Sequence, residues 1–418
     1  MTSLKWDPLD AGSSAAGLAA PSAENPAAAP LEPDDSLADR AKRVAAIAVA
    51  HAEAVDREAR FPVEAIAAAK AEGLMGMMVP QALGGDGAGP GDVAQVCYTL
   101  GQACSSAGLI FAMHQVKIAC VTRHFERGGW HETFLRRLVD HQWLVASSTT
   151  EGQAGGDVRS SAAAVAPADD RITLDRDASV ISYGAHADAL VTTARRSADA
   201  ASSDQVLLVL EKADYSLSQT QTWDTLGMRG TCSVGFALKA DADRAQILPE
   251  PYAVIHSRSM VPSAHLFWSS VWAGIAAGSV ERARRFIRKA SRNSGGQPPP
   301  AAAYLSRATS SLRALRALIT TGIDRYEAIK DNPEALATME FQTAINLLKV
   351  DASELAVATV MSALRTCGLS GYRNDNEASL GRQLRDVLSS PIMINNDRIL
   401  ANLAASSLLV ETPQTLRG

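Results

Sequence analysis

Residues 143 to 250 read as short strands set between two long stretches with helical spacing, and this order restricts the chain to few architectures. The strand-like runs are Ile172 to Leu174, Ser179 to Ser182, Ala189 to Thr193, Val206 to Leu210 and Val234 to Leu238, separated by Gly, Asp and Ser clusters. Upstream, Ala41 to Arg57 carries Val44, Ile47, Ala48 and His51 at helical spacing. Pro62 opens a second helix, and Gly73 and the Gly84-to-Gly91 cluster end helices. Downstream, helices are expected at Ser269 to Arg292, 301 to 328, 333 to 367 and 378 to 410. Small residues at Ala273, Gly274, Ala276, Ala277 and Gly278 invite a close helix neighbour, and Gly295-Gly296-Gln297-Pro298-Pro299-Pro300 breaks the first of these helices. The expected fold is mainly α with a central β-domain. Its parts are a flexible tail (1–36), an N-terminal helical domain (37–142), a β-domain (143–252) and a C-terminal helical bundle (253–418).

Several classes are set aside by composition. At 418 residues and 47% hydrophobic the chain can bury two or three packed domains, but aromatics are only 5%, so Ala, Leu and Val must fill the core. A net charge of −5, with no basic block interleaved with aromatics, argues against nucleic acid. The five cysteines form no CxxC pair, which argues against a zinc site or a disulfide framework and fits a reducing cytoplasm. No run of about eighteen apolar residues predicts a membrane span. Residues 1 to 36 lack a basic region followed by an apolar stretch, so no secretory signal is expected. The glycine cluster at 84 to 91 is read as a tight interhelical turn, because it neither follows a strand nor fits G-x-G-x-x-G.

Function is carried by five segments. Thr149-Thr150-Glu151-Gly152-Gln153-Ala154-Gly155-Gly156-Asp157 is a polar glycine loop after an apolar run, able to bring hydroxyls and bare N–H groups to a flat or anionic ligand. It resembles the T-E-P-x-A-G-S-D signature of the acyl-CoA dehydrogenase family. Val180 to Asp188 is similar to the W-I-T-N-G-x-x-A-D segment, and Leu226 to Thr231 to the L-G-M-R-G-S loop. Pro80 to Gly87 resembles P-x-x-x-G-G-x-G, and Gly371-Tyr372 with Arg385-Asp386 resembles the C-terminal G-Y and R-D. The resemblance spans roughly residues 37 to 412.

It implies flavin-adenine dinucleotide (FAD) between the β-domain and the helical bundle. Ser148, Thr149, Thr150 and Gly155 would contact the ring, with Val180, Ile181 and Ser182 as the wall behind it. Gly156, in place of a serine, together with Ile394 and Asn395, would face the acyl thioester, and Asn396 would reach the cofactor. Arg292 matches the arginine that meets the pyrophosphate of a neighbouring subunit's flavin, a task suited to a forked guanidinium. Gly368, with Leu369 for the second glycine and Arg365 for the glutamine of Q-x-x-G-G, would lie by the neighbour's adenosine half; Ala303 replaces a further glutamine. Such contacts imply a homotetramer, and the family's electron acceptor is an electron-transfer flavoprotein.

One departure bears on the reaction. Dehydrogenation needs a base for the α-proton while hydride leaves the β-carbon. The family's glutamate position, counted from Arg385-Asp386, holds Ile394, and the alternative site at Ala264 to Ser269 has no carboxylate. His114, His265 and Asp397 are the substitutes in reach, and the catalytic residue is left unassigned. Three readings follow: oxidation of an acyl thioester (on coenzyme A or a carrier protein) at Cα–Cβ with a relocated base, a flavin-dependent monooxygenase on the same fold, or a catalytically silent subunit of a flavoprotein complex.

Overall fold

The computed structural model describes residues 35–151 and 158–411. The first helix, α1 (Leu37–Glu58), begins where Ser36 Oγ accepts the Asp39 N–H at 3.2 Å, satisfying a donor that the first turn leaves free. It buries Ala41, Val44, Ala48, Ala52 and Val55, one stripe at steps of three and four. Ile47, expected on that stripe, is exposed. Of the adjacent pair Ile47 and Ala48 only one side chain can face inward, and the alanine does. The region continues through α2 (Val63–Ala71), α3 (Pro90–Ala103), α4 (Ser105–His124) and α5 (Trp130–His141).

Strands follow. β1 (Val145–Ser148) pairs in parallel with β4 (Ala189–Arg195), which pairs antiparallel with β5 (Gln205–Glu211). β2 (Ala166–Ala168), β3 (Arg171–Ala178), β7 (Phe236–Asp243) and β6 (Tyr215–Gln219) form an antiparallel second sheet in that order. Its burial alternates along β3 and β7, one face inward. Ser179 to Ser182, expected as a strand, is instead a connection held by Ile181 N donating to Val234 O.

The chain returns to helix at α6 (Tyr252–Ile255), passes a π-helical turn at His256–Met260, and runs into α7 (Val261–Asn293). Then come α8 (Ala302–Ile329), α9 (Pro333–Ala337) and α10 (Met339–Tyr372), with α8 and α10 packed on α7. The segment expected as one helix over 378 to 410 is two, α11 (Gly381–Val387) and α12 (Asn396–Ser406). Pro391 lies in the break, and Ile394 adopts φ +49°, which no helix contains.

The small-residue face of α7 meets α3. A Cβ at Gly274 would lie 2.4 Å from Tyr98 O, and one at Gly101 2.4 Å from Val271 O. Gly108 of α4 is equally close to α3, its Cβ position 2.9 Å from Gly101 N. Backbones touch at this junction, so any side chain there must push two helices apart. Gly274→Ala is expected to cost about 1–3 kcal/mol. Urea unfolding checks it, and an unchanged midpoint would show that the helices separate freely.

Candidate active site

A cavity of about 200 Å³ lies where α4, the start of α7 and the β-region converge. From α4 come Met113, Val116 and Lys117; from the π-helical turn and α7 come His256, Met260, Val261, Ala264, His265 and Trp268. Ser147, Thr149, Thr150, Val158, Val180, Ser182 and Tyr183 line the β side, and Met393 and Ile394 close it. The π-turn is an extra residue in the helical ladder of the kind that re-aims side chains beside functional sites.

Of the residues expected at the flavin, Thr149, Thr150, Val180 and Ser182 line this cavity. Ser148 does not: its side chain is buried on the other side of β1, and Ser147 faces the cavity. Successive strand residues point to opposite faces, so a match displaced by one residue selects the wrong hydroxyl. Ile181 is fully buried behind Val180 and Ser182. Gly155 and Gly156 fall outside the described residues. Ser233 Oγ lies 2.8 Å from Ser182 Oγ and 2.7 Å from Thr231 Oγ1, whose hydroxyl donates to Met228 O at 2.9 Å.

Fit to a flat aromatic group is tested by what the walls offer. Apolar surfaces from Val180, Met113, Val261 and Trp268 stand with the hydroxyls of Ser147, Thr149, Thr150 and Ser182, and the Trp268 indole N–H is buried with no acceptor among the described residues. A flavin, flat and rimmed with hydrogen-bonding atoms, matches that combination.

The three substitute bases separate clearly. His114 is fully buried: Nε2–H donates to Met75 O at 2.9 Å and Nδ1 accepts from Val145 N at 3.0 Å, so neither nitrogen is left for a substrate. Asp397 is exposed on the first turn of α12 and does not line the cavity. His265 does line it. Its Nδ1–H donates to Ile345 O at 3.1 Å, fixing the tautomer with a bare Nε2, and burial pushes its pKa down to about 3. A base that weak is ill suited to removing a carbon-bound proton. No Asp or Glu occurs among the described residues that line the cavity.

Ile394 stands at the cavity mouth in a left-handed backbone conformation that is strained for a β-branched residue. Lys349 of α10 holds it there, donating to Ile394 O at 3.1 Å and to Asn396 Oδ1 at 2.7 Å. Burial lowers the Lys349 pKa to about 8. Asn396 is thus spent on Lys349 and on Ser353, to which its Nδ2 donates at 2.9 Å, and Asn395 caps α12 by accepting from Asp397 N. Neither lines the cavity, because the turn before α12 uses both amides to stop and restart the chain.

Arg292 lies elsewhere, in a groove with Arg282, Arg285, Arg288, Lys289 and Ser370. Gly368 takes φ +55° and interrupts α10, leaving Leu369 exposed. Arg365 is engaged by Tyr304, its guanidinium 4.1 Å over the ring.

Sequence reasoning passed over Lys117, Trp268, His256 and Met260. The first carried a signal: a lysine within the apolar run Val116 to Val121 of a buried helix is an expensive placement.

Comparison with known proteins gives two matches to family patterns: "Acyl-CoA dehydrogenase, N-terminal domain" over residues 32–141 and "Acyl-CoA dehydrogenase, C-terminal domain" over 266–390. An amino sugar nitrososynthase of Streptomyces peucetius is 25% identical over 350 residues, 81% of this chain and 84% of the relative. A probable acyl-CoA dehydrogenase of Bacillus subtilis is 22% identical, covering 86% and 93%. The FMN-bound structure of TdsC, a dibenzothiophene monooxygenase from Paenibacillus, superposes with a TM-score of 0.79 at 18% identity, over 90% of this chain and 98% of that one.

Burial holds His114 and His131 near pKa 4, as it holds His265 near 3, so all three rings are neutral in the fold. Unfolding returns them to about 6.5, so the unfolded state binds more protons between about pH 6.5 and 4. Stability from these rings is therefore complete above pH 6.5 and is lost as pH falls, by at most about 1.4 kcal/mol per pH unit per ring. His114→Gln, which keeps a donor for Met75 and an acceptor for Val145, should flatten that slope in urea titrations. An unchanged slope would show that His114 does not titrate on unfolding.

Proposed function

The chain belongs to the acyl-CoA dehydrogenase family, and we propose that within it the protein is a flavin-dependent monooxygenase rather than an acyl thioester dehydrogenase. One observation carries this reading. The described walls of the cavity hold no carboxylate, Ile394 occupies the position of the family's glutamate, and His114 and His265 are unfit to replace it. Oxygen insertion needs no base for an α-proton, so these losses leave that chemistry intact. Two similar proteins, named as a nitrososynthase and a monooxygenase, support the same direction.

Reduced flavin, when bound, supplies two electrons to dioxygen. The chain's own residues bind and shield. Ser147, Thr149, Thr150 and Ser182 offer hydroxyls to the rim of the ring, and Val180 backs it. Met113, Val116, Val261 and Trp268 form an apolar chamber that would keep water from the reacting centre of a bound flavin. His265 Nε2, an acceptor that stays unprotonated, orients a substrate donor. Electrons arriving on reduced flavin make an electron-transfer flavoprotein unnecessary.

Of the two flavin nucleotides, FAD gains little over FMN here. Of the residues expected to cradle the neighbour's adenosine half, Gly368 keeps the glycine and its positive φ, but Arg365 is engaged by Tyr304 and Leu369 is exposed where a second glycine is expected. The chain is proposed to assemble as a homotetramer, since Leu369, Tyr372, Ile392, Leu408 and Leu409 are all exposed in the single chain. Light scattering checks this; a monomer refutes it.

Stopped-flow mixing decides the reaction. Pre-reduced FMN bound to the protein is expected to consume oxygen and yield an oxygenated product, whereas anaerobic acyl-CoA is expected to leave oxidised flavin unbleached. Rapid bleaching by acyl-CoA would reverse the assignment. Thr150→Val should weaken FMN and FAD alike, by about tenfold, through one lost hydrogen bond. Arg292→Ala should weaken neither; a selective loss of FAD would show that the groove holds its pyrophosphate.

A further inference from the structure

Lys117 is the one ammonium-bearing side chain among the described residues that line the cavity. Its residue is 5% exposed, and among the described residues its Nζ has a single hydrogen-bond partner, Met260 Sδ at 3.6 Å. A thioether is a weak acceptor and carries no charge. On the same helix the Cys120 thiol is pushed up to about 11 by burial, so it is neutral. Across the cavity stand His265, held neutral, and His256, Thr150 and Tyr183, none of them an anion at neutral pH. Desolvation lowers the Lys117 pKa, and nothing described repays the cost of putting a lysine there.

We infer that Lys117 binds the anionic end of the substrate, and that the substrate is an apolar or aromatic carboxylic acid whose body lies against Met113, Val116, Val261 and Trp268. The inference rests on the cavity being the substrate chamber of the proposed flavin-dependent monooxygenase. A carboxylate within reach of Nζ forms a charge-assisted hydrogen bond in a dry site, where such bonds are strong. An acyl thioester would present only neutral atoms here and leave the amine unpaired. A substrate amine, protonated at neutral pH, would meet a like charge, which separates this chain's substrate from the amino sugar named for its relative. Burial lowers the proton affinity of the Lys117 amine and a carboxylate beside it raises it again, so a bound acid favours the ammonium.

Calorimetry on the flavin-loaded protein, with phenylacetate, phenylacetamide and phenethylamine as near-isosteric probes, tests this. Phenylacetate is expected to bind about tenfold or more tighter than the amide, and phenethylamine weakest. Binding enthalpies in buffers of different ionisation heat, compared across pH, should show more proton uptake with the acid than with the amide. Lys117→Met, matched in volume and apolar, should abolish both the preference and the uptake while retaining amide binding. If that variant fails to fold, the acid–amide contrast and proton uptake of the wild type decide alone. Equal affinity for acid and amide, proton uptake no greater with the acid than with the amide at any pH, no binding by any probe below about millimolar, or a preference that survives Lys117→Met overturns the inference. Anaerobic bleaching of the flavin by phenylpropionyl-CoA, lost in Lys117→Met, would also overturn it by making Lys117 a proton-abstracting base. Tight acid binding with no oxygenated product would instead refute the monooxygenase reading and leave the role of Lys117 standing.

Discussion

Everything in the cavity is referred to a place where three helices touch backbone to backbone. Gly101 of α3 receives Gly108 of α4 on one side and Gly274 of α7 on another, with no room for a Cβ at any of the three. That contact sets the separation of α4 and α7, and those helices carry Lys117, Met113, His265 and Trp268. Interiors pack densely and tolerate little displacement, so a fraction of an ångström at the glycines would reach the chamber wall.

Around this pivot the site combines hydrophobic walls with few polar groups, three of them held by neighbours. His265 is held by Ile345 O, Ser182 by Ser233, and the Ile394 turn by Lys349. An apolar, preorganised chamber of this kind would suit the oxygen chemistry proposed above. The strained backbone at Ile394 marks a seat kept in place although its side chain offers no proton chemistry.

Fold class was legible because it rests on period and order. The small residues of α7 announced a close neighbour, and α3 is that neighbour. Motif matching located Thr149, Thr150, Val180 and Ser182. It also named Ser148, whose side chain does not line the cavity, and passed over Ser147, because a one-residue displacement reverses the face of a strand. Ile47 was hidden because adjacent apolar residues compete for one face, whereas the split of 378 to 410 had one local sign, Pro391, and was completed by Lys349 from another helix. Asn396 illustrates the same limit, its role set by Lys349 and Ser353, both more than forty residues away in the chain.

The clearest resemblances to the family lie where no chemistry occurs. Met228 N donates to Asp386 Oδ1 at 2.7 Å, a Cβ at Gly227 would stand 2.2 Å from Arg385 O, and the Arg385 guanidinium reaches both Leu226 O and Asp56. The L-G-M-R loop and the R-D pair are thus two halves of one joint, fastening the strands to the last helices. A joint of this kind is indifferent to what is transformed in the chamber beside it. It lets the scaffold keep its written signature while the reacting residues are exchanged, so that what looks most like kinship in this chain is carpentry, and its trade is declared by Ile394 and Lys117.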